Sequence, residues 1–547
     1  MRGCDYIARY FREYGLELFF GFQGGAVTPL IDSLVQAGIP FFQNYHEQAS
    51  GFAAEAYART RNQLSVALAT NGPGATNFVT AIANAYLDSS PCLFITGQVN
   101  TFDMRTGGVR QNGFQEVDTV LMCKPITKYA HTVSDSASIR YELDKAIHLA
   151  TTGRPGSVLL DFPLNILMSE INEEEQQPYP LPAPEASLPV PAQCVWDMLK
   201  NAKRPLILVG GGVHSAGAED LVAQFVQASG IPSIGSLMGA DVYTPHQVGF
   251  AGLYGQTWAN LAAYHADVIL TLGCRFAKRL AGKEIRQFTR NAKIIHVDID
   301  EHEIGHVVQA DIAYHGHIAD IMLPMLALAH PIPCEEWKQQ IRTWAQQYAD
   351  HAHLNPNGVD PVQLIEKISN WAPSSCVITS DVGQNQMWVA QGWTFKKGQR
   401  HLTSGGLGCM GFSLPAATGA ALAGTHEHII AFMGDGGMQM NIQELMALSH
   451  IDTPITIVVL NNQSLGMIQD AQNRYMGNRY IGTKSGYSTP DLQQLASTYG
   501  IDYIKIKNLS NLQHDDVFRS SHTLVEVCLN DNPTQCLIRY DKASLYQ

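Results

Sequence analysis

Short apolar runs alternate with longer stretches of mixed apolar and polar residues along the whole chain. Runs rich in β-branched residues predict buried strands, because strands covered on both faces are almost continuously apolar. The predicted strands are 41–45, 64–69, 92–96, 157–161, 205–209, 268–272, 376–380, 429–433 and 455–460. Helix-like stretches lie between them, including an amphipathic first helix and residues 438–450. The alternation predicts an α/β protein with parallel sheets covered by helices.

Two joints rich in proline or polar residues divide the chain. Residues 173–191 carry six prolines and an acidic run, so neither helix nor strand persists there. A weaker joint covers residues 331–360. Because 547 residues are too many for one core, we predict three doubly wound parallel-sheet domains at 1–172, 192–330 and 361–547.

Composition narrows the class of function. The chain is 45% hydrophobic and 16% charged, and its net charge of −13 argues against the basic surface that nucleic-acid binding requires. The charged N-terminus lacks the apolar core of a signal peptide, and no run of apolar residues is long enough to span a membrane. Ten cysteines without a C-x-x-C pair predict buried thiols in a reducing compartment. We therefore expect small-molecule chemistry in the cytoplasm, with no nucleic acid and no membrane.

One pair of short motifs predicts a site for a metal-bound diphosphate. Gly434-Asp435-Gly436 is a tight turn whose backbone N–H groups can approach phosphate oxygens, and Asn461-Asn462 follows the next predicted strand. Asp435 and the side-chain oxygen of Asn462 are ligands of the kind that Mg²⁺ takes. An ordinary turn and an ordinary strand exit are the alternative, because these residues favour turns for local reasons.

The motif pair resembles the thiamine-diphosphate signature, and further segments follow in the same order and spacing. Over about residues 6–540 the chain resembles thiamine-diphosphate enzymes of the acetolactate synthase (acetohydroxyacid synthase) large-subunit type. The matching segments are 20–26, 46–48, 71–77, 95–99, 113–118, 153–156, 209–213, 381–384 and 406–412. The resemblance implies a pyrimidine-binding domain at 1–172, a central FAD-binding-like domain at 192–330 and a diphosphate-binding domain at 361–547.

The resemblance also assigns catalytic residues. Glu47 matches the glutamate that activates the cofactor through its pyrimidine ring, although an isolated glutamate is otherwise a solvated surface charge. Gln115 and Lys128 match positions near the reacting centre or the flavin. Lys128 is expected to offer its positive charge to the carboxylate of a 2-oxo acid, with a surface lysine as the alternative. Arg279 matches an arginine that recognises the carboxylate of the acceptor.

For the cofactor, the resemblance implies Mg²⁺ held by Asp435, Asn462 and the carbonyl of Ser464. Met410 matches the bulky residue between the two cofactor rings, with core filling as the alternative. The backbone amides of the turn at residues 72–77 are expected to line the substrate side of the thiazolium ring, with a simple helix start as the alternative. The other residues assigned to thiamine diphosphate are Gly25, Gly72, Asn77, Gln384, Gly408, Gly434, Gly436 and Met467.

In the central domain, the glycine run Gly210, Gly211 and Gly212 follows a predicted strand but lacks the full G-x-G-x-x-G spacing. The resemblance places Arg275 at a flavin diphosphate. It places Asp298, Asp300 and Asp320 at ribose or adenine donors. FAD is therefore expected as a cofactor, without net redox change in acetolactate synthases and with electron transfer in a pyruvate oxidase.

As a whole, the resemblance implies an enzyme that decarboxylates pyruvate and adds the two-carbon unit to a carbonyl acceptor. It also implies a homodimer or homotetramer in which Glu47 of one subunit faces Asp435 of another. Ala471 stands where acetolactate synthases carry a tryptophan, and a Pro- and Gly-containing tail is lacking, which suggests a larger acceptor pocket. A nucleotide-linked keto-sugar is therefore an alternative acceptor. A plain decarboxylase or oxidase, or a non-catalytic cofactor-binding paralogue, are further alternatives, the last opposed by retention of Glu47, Asp435 and Asn462.

Overall fold

Three six-stranded parallel sheets organise the protein, as the apolar runs predict. The structure is a computed structural model and describes residues 1–183, 189–282, 288–290, 292–348 and 358–529. Parts of the predicted joints 173–191 and 331–360 lie outside the described residues, as does the end of the chain after residue 529. The α/β prediction with three sheets is confirmed; the domain boundaries stay a prediction.

The first sheet has the strand order β2-β1-β3-β4-β6-β5, and all its pairs are parallel. Its strands are β1 (Phe19–Gly21), β2 (Phe41–Gln43), β3 (Ser65–Ala69), β4 (Cys92–Gln98), β5 (Tyr129–Thr132) and β6 (Val158–Pro163). The helices of this part are α1 (Gly3–Tyr14), α2 (Thr28–Gln36), α3 (Glu47–Arg61), α4 (Pro73–Leu87), α5 (Thr119–Cys123), α6 (Ile139–Thr151) and α7 (Leu164–Met168). The amphipathic helix α1 is followed by Gly15, whose φ is 87°. Glycine adopts this left-handed conformation readily and therefore commonly ends helices.

The second sheet has the order β12-β11-β10-β7-β8-β9 and is also parallel throughout. Its strands are β7 (Pro205–Val209), β8 (Ser233–Gly235), β9 (Gln247–Phe250), β10 (Val268–Leu272), β11 (Lys293–Asp298) and β12 (Ile312–His315). Described helices are α8 (Ala192–Lys200), α9 (Gly212–Ser215), α10 (Glu219–Ser229), α11 (Thr257–His265), α12 (Lys278–Ala281), α13 (Ile318–Leu328) and α14 (Glu335–Tyr348).

The third sheet has the order β14-β13-β15-β16-β18-β17, so β13, β15 and β16 are neighbours. Its strands are β13 (Cys376–Ser380), β14 (Arg400–Thr403), β15 (His428–Gly434), β16 (Ile455–Asn461), β17 (Asp502–Ile506) and β18 (Thr523–Cys528). The helices are α15 (Pro361–Trp371), α16 (Gln384–Gly392), α17 (Ser413–Leu422), α18 (Asp435–Met440), α19 (Gly466–Tyr475), α20 (Leu492–Thr498) and α21 (His514–Val517).

The predicted single helix at 438–450 is wrong. Helix α18 ends at Met440, and two 3₁₀ turns follow, at Ile442–Leu445 and Ala447–His450. Asn441 lies between the end of α18 and the first of these turns, with φ −134° and ψ 38°, and its side-chain amide donates to the carbonyl of Gly411 at 2.8 Å. A side-chain hydrogen bond of this kind holds the backbone outside the helical region.

The described residues form two compact units. The first comprises the described residues of Met1–Pro184, Ser404–Ile429 and Gly437–Ile455, and the second comprises those of Glu185–Thr403, Ile430–Gly436 and Thr456–Gln547. Within the first unit, α17 packs against α3 so closely that a Cβ on Gly419 would lie 2.0 Å from the carbonyl oxygen of Ala53. Three separate chain segments therefore build the first unit.

Most described cysteines are buried free thiols, but Cys194 is exposed and Cys528 is half-buried, so the expectation of burial is wrong at these two positions. Cys194 lies on the short surface helix α8, whose buried face is formed by other residues. No described helix has the length and apolar character needed to cross a membrane. The cytoplasmic location stays a prediction.

Candidate functional site

Glu47 is the first residue of α3 in the first unit. His46 precedes it in extended conformation, and its Nδ1 accepts a hydrogen bond from the backbone N–H of Gln48 at 3.1 Å, which caps the helix. The Glu47 side chain is 9% exposed, and its Oε2 accepts from Asn77 Nδ2 at 2.9 Å. Asn77 lies on α4. The structure thus brings together two residues that the sequence assigns to one site and buries the glutamate that an ordinary surface charge would expose.

The turn before α4 has glycine at the two positions where its backbone approaches neighbouring side chains of the site. Gly72 has φ 61°, and a Cβ there would lie 2.6 Å from the carbonyl oxygen of Gln115. Gln115 itself has φ 61°, which is uncommon for a residue other than glycine. A Cβ on Gly74 would lie 3.3 Å from Glu47 Oε1. The predicted site residues Gly72, Gln115, Asn77 and Glu47 therefore meet around one turn.

Glu444 is a further residue of this site, and the sequence did not indicate it. Its side chain is fully buried; its Oε2 accepts from Asn44 Nδ2 and its Oε1 from the backbone N–H of Tyr45, both at 2.9 Å. The backbone N–H of His46 also bonds to this carboxylate, and burial raises the pKa of Glu444 to about 7. Glu444 therefore fixes the short turn that leads from β2 to Glu47.

The glycine-rich loop that carries Met410 is held by two side chains of the same unit. The hydroxyl of Ser404 accepts from the backbone N–H of Gly408 at 2.9 Å, and Asp88 accepts from that of Gly406 at 2.6 Å. Gly408 has φ 77°, and Met410 is half-buried. The loop is thus fixed in shape, while the cofactor contact of Met410 stays a prediction.

Lys128 has a structural task within its own domain. Its Nζ donates to the carbonyls of Thr152 and Arg154, each at 2.7 Å, and burial lowers the pKa of the ammonium group to about 8. Two of its three donors are therefore used at the end of α6, and its role toward a substrate carboxylate stays a prediction.

At Gly25, which the sequence assigns to the cofactor, no atom lies within 4 Å of where a Cβ would stand, so packing does not explain this glycine.

In the second unit, three neighbouring strands end at the predicted diphosphate site. Gln384 follows β13, Asp435 follows β15 and Asn462 follows β16. Ligands of parallel sheets bind beyond the carboxyl ends of strands. Asp435 is 2% exposed; it accepts from the backbone N–H groups of Gly436 and Asn462, and burial raises its pKa to about 6.

Gln384 carries a buried donor that has no partner among the described residues. Its side chain is 4% exposed and its Nε2 makes no hydrogen bond, while its Oε1 lies 3.5 Å from Asn462 Nδ2. The preceding Gly383 has φ 115°, and no side chain caps α16 there. A buried donor left unpaired costs about 1–3 kcal/mol, and a phosphate oxygen would supply the acceptor that this position lacks. The residues therefore fit a diphosphate.

The oxygen set around Asp435 fits Mg²⁺. Asn462 Oδ1 accepts from the backbone N–H of Ser464 at 3.1 Å, and the carbonyl of Ser464 accepts from that of Gly466 at 3.0 Å. Each of these oxygens has a second lone pair, and Mg²⁺ takes carboxylate and carbonyl oxygens. The described residues contain no cluster of three or more His, Cys, Asp or Glu side chains that could hold another kind of metal.

Three nearby positions complete this part. A Cβ on Gly434 would lie 3.2 Å from Asn385 Nδ2, so the first glycine of the motif leaves room for that amide. Met467 packs against the hydrophobic core of the third sheet. Tyr487, which the sequence did not indicate, donates from its hydroxyl to Asp435 Oδ2 at 2.9 Å.

In the central sheet, the glycine run is explained by close backbone packing. A Cβ on Gly210 would lie 2.0 Å from the carbonyl oxygen of Gly273, and one on Gly212 would lie 2.7 Å from the Gly273 Cα. Gly211 is limited by Met238, whose Cβ would be 3.0 Å away. These glycines let the turns after β7 and β10 touch, whether or not a nucleotide binds there.

The remaining predicted flavin residues occupy different surroundings. Arg275 is half-buried after β10, and Asp298 is buried at the end of β11, where its Oδ1 accepts from the backbone N–H of Asp300 at 3.0 Å. Asp320 is exposed in the first turn of α13. Arg279, which the sequence assigns to the acceptor carboxylate and not to the flavin, donates from Nη2 to Gln386 Oε1 at 3.0 Å, and that assignment stays a prediction. Arg275 and Asp298 thus lie at the ends of adjacent strands.

Each of the three parts of the chain that carry the sheets matches a known protein family. Residues 1–122 match the model "Thiamine pyrophosphate enzyme, N-terminal TPP binding domain", residues 192–325 match the central domain of the same enzymes, and residues 381–521 match their C-terminal TPP binding domain. Thiamine pyrophosphate is another name for thiamine diphosphate. The three matches in this order define a thiamine pyrophosphate enzyme.

Individual relatives narrow the class further. The acetolactate synthase large subunit of Lactococcus lactis is 35% identical over 528 residues, covering 94% of this chain and 89% of the relative. The probable acetolactate synthase large subunit of Methanocaldococcus jannaschii is 36% identical over 522 residues, covering 92% and 87%. The large subunit of Escherichia coli acetolactate synthase isozyme 2 is 35% identical over 508 residues, covering 92% and 90%. The chain belongs to the acetolactate synthase large-subunit family, which confirms the resemblance.

Proposed function

We propose that this protein decarboxylates pyruvate and joins the two-carbon unit to a second molecule of pyruvate, which gives acetolactate. The observation that carries the proposal is the placement of Glu47, buried at the start of α3 and held by Asn77, in a chain that is similar along most of its length to acetolactate synthases. A catalytically silent paralogue would not need to bury a carboxylate there, since burial of an ionisable group is costly.

Thiamine diphosphate, when bound, supplies the electron sink that lets a 2-oxo acid lose CO₂. Glu47 is proposed to hold and exchange the proton on the cofactor's pyrimidine. Asp435, Asn462 and Ser464 are proposed to hold Mg²⁺, and the unpaired Nε2 of Gln384 is proposed to donate to the diphosphate. These residues are proposed to bind and orient the cofactor, whereas the carbon atoms that react belong to the cofactor and the substrate.

Product analysis tests the proposal. The purified protein, supplied with thiamine diphosphate, Mg²⁺ and ¹³C-labelled pyruvate, is expected to release CO₂ and form acetolactate, detected by mass spectrometry. Glu47→Gln is expected to lose most turnover, whereas the matched surface variant Glu174→Gln keeps it. Acetaldehyde as sole product would indicate a decarboxylase, and acetate formation with bleaching of a flavin would indicate an oxidase.

A different carbonyl acceptor is the second candidate function. Ala471 is half-buried on α19, and the small side chain at the position of the family's tryptophan leaves room for a larger acceptor. We propose that a nucleotide-linked keto-sugar could occupy this room. Labelled pyruvate incubated with and without such ketones separates the candidates, because rapid formation of acetolactate alone defeats the sugar acceptor.

We propose FAD as a further cofactor, at the ends of β7, β10 and β11. The order of these strands and the placement of Arg275 and Asp298 support this assignment, whereas the glycine run is explained by packing and gives no support of its own. A flavin absorption band in the purified protein, released on denaturation, tests it.

We also propose a homodimer or homotetramer whose active site combines Glu47 of one copy with Asp435 of another. The support is the family resemblance together with two exposed apolar side chains, Phe102 and Phe114, which are 74% and 84% exposed on segments joined by the hydrogen bond from Asn112 Nδ2 to the carbonyl of Asp103. Exposed apolar residues gathered in one region commonly mark interfaces. Light scattering after size-exclusion chromatography gives the number of copies.

A further inference from the structure

The loop at residues 476–491, between α19 and α20, is held by its own contacts. Gln472 on α19 donates from Nε2 to the carbonyl of Ile481 at 2.9 Å, and its Oε1 accepts from the hydroxyl of Thr483 at 2.6 Å. Thr483 is 1% exposed. The backbone N–H of Tyr487 donates to the carbonyl of Lys484 at 3.2 Å. The loop thus presents Tyr487 from a fixed backbone.

The hydroxyl of Tyr487 reaches the buried carboxylate of Asp435, donating to Oδ2 at 2.9 Å. Asp435 is 2% exposed and is otherwise held by backbone N–H groups of its own turn and of Asn462. Tyr487 is therefore a side chain that comes from a distant part of the chain to set the orientation of this carboxylate. Carboxylates that bind metals are commonly oriented in this way by a second layer of hydrogen bonds.

We propose that Tyr487 is a positioning residue for the metal: its hydroxyl holds the Asp435 carboxylate in the orientation that binds the Mg²⁺ of thiamine diphosphate. The proposal rests on the proposed function of Asp435 as a metal ligand. It also gives the loop a task, because α19, which carries Met467 and Ala471, becomes linked through Gln472 and the loop to the metal site. The position of α19 and the geometry of the metal site are then coupled through the loop at residues 476–491.

Tyr487→Phe tests this, since it removes the hydroxyl and keeps the ring. Mg²⁺ affinity is measured by isothermal titration of the full-length protein with saturating thiamine diphosphate, and Mn²⁺ in place of Mg²⁺ gives the coordination by its electron paramagnetic resonance spectrum. We expect Mg²⁺ binding to weaken by about 10- to 100-fold, the usual effect of losing such a hydrogen bond, and turnover to recover as Mg²⁺ is raised. A general loss of structure would not be rescued by metal.

Tyr480→Phe is the matched control, because Tyr480 lies in the same loop and bonds to Asn473 rather than to Asp435; its Mg²⁺ affinity is expected to equal that of the wild type. If Tyr487→Phe fails to fold, Thr483→Val removes one of the two hydrogen bonds that tie the loop to Gln472 and is expected to weaken Mg²⁺ binding less strongly. Unchanged or tighter binding by Tyr487→Phe overturns the inference, tighter binding meaning that the hydroxyl competes with the metal. Failure of the wild type to bind Mg²⁺ with thiamine diphosphate overturns the proposed site itself.

Discussion

Replacing Glu444 by Gln separates the charge of this residue from its shape. The side chain is fully buried, and burial raises its pKa from 4.5 to about 7. A shift of this size disfavours the ionised form by about 3 kcal/mol, since each pKa unit is worth 1.36 kcal/mol. Because the folded protein binds this proton more tightly than the unfolded chain, the stabilisation is complete below the unfolded pKa and is lost as the pH rises through about 7.

The variant Glu444→Gln carries no charge and escapes this loss. Its amide nitrogen also has an acceptor available, because Asn44 Oδ1 is buried without a hydrogen-bond partner among the described residues and can face it once the Asn44 amide turns over. We therefore expect the free energy of unfolding of the first unit to exceed that of the wild type at pH 8 by up to about 3 kcal/mol. At pH 5, just above the unfolded pKa of 4.5, most of the stabilisation is still present, and the two proteins are expected to differ by less than about 1 kcal/mol.

A chain with several domains does not unfold in a single two-state step, so the measurement must be local. Pulsed hydrogen exchange with mass spectrometry gives the urea concentration at which residues 41–48 lose protection, at pH 5 and at pH 8. Glu444→Ala is the contrast: it leaves the donors of Asn44 and Tyr45 unpaired and is expected to destabilise at both pH values by about 1–3 kcal/mol per group. Glu55 and Asp161 also have pKa values raised to about 7 by burial, and their effect cancels in the comparison. Equal pH dependence in wild type and Glu444→Gln would refute the reasoning.

Three more outcomes are expected. Mixing refolded Glu47→Gln and Asp435→Asn subunits should restore about a quarter of wild-type turnover if a two-fold dimer shares its sites, and activity that stays absent in the mixture would place both residues in a site of one chain. Asp435→Asn alone should lose Mg²⁺-dependent binding of thiamine diphosphate in equilibrium dialysis. The cofactor-free variant should melt at a temperature equal to or higher than that of the wild type at pH 8, because burial opposes the charge of Asp435. Gly419→Ala should lower the thermal midpoint, since its Cβ meets the Ala53 carbonyl and overpacking costs about 1–3 kcal/mol; an unchanged midpoint would contradict the close helix contact.

The strands were the most predictable part of this structure. Predictions at 205–209, 268–272 and 376–380 match β7, β10 and β13 to the residue, because buried parallel strands leave uninterrupted apolar runs. The helix at 438–450 was not predictable from local pattern. Asn441 interrupts it by bonding to Gly411, a contact thirty positions away in the chain.

Long-range contacts also limited prediction of the site. Residues adjacent to strand ends, such as Asp435 and Asn462, carry a local signature. Glu444 and Tyr487 carry none: the first meets Asn44 from 400 positions away and the second meets Asp435 from 52. A buried glutamate and a loop tyrosine become recognisable only when their partners are placed beside them.

The composition of the first unit has a consequence for how the protein is made. A ribosome delivers Met1–Pro184 long before Ser404–Ile429 and Gly437–Ile455, so the face of α3 that later receives α17, and the donors that later receive Glu444, have no native partner during most of synthesis. Domains normally fold as units while the chain emerges, but after Pro184 this one has to wait for about 270 further residues, until Ile455 has been made. The nascent N-terminal segment is therefore a natural client for chaperones, and expression of that segment alone is expected to give aggregation-prone material.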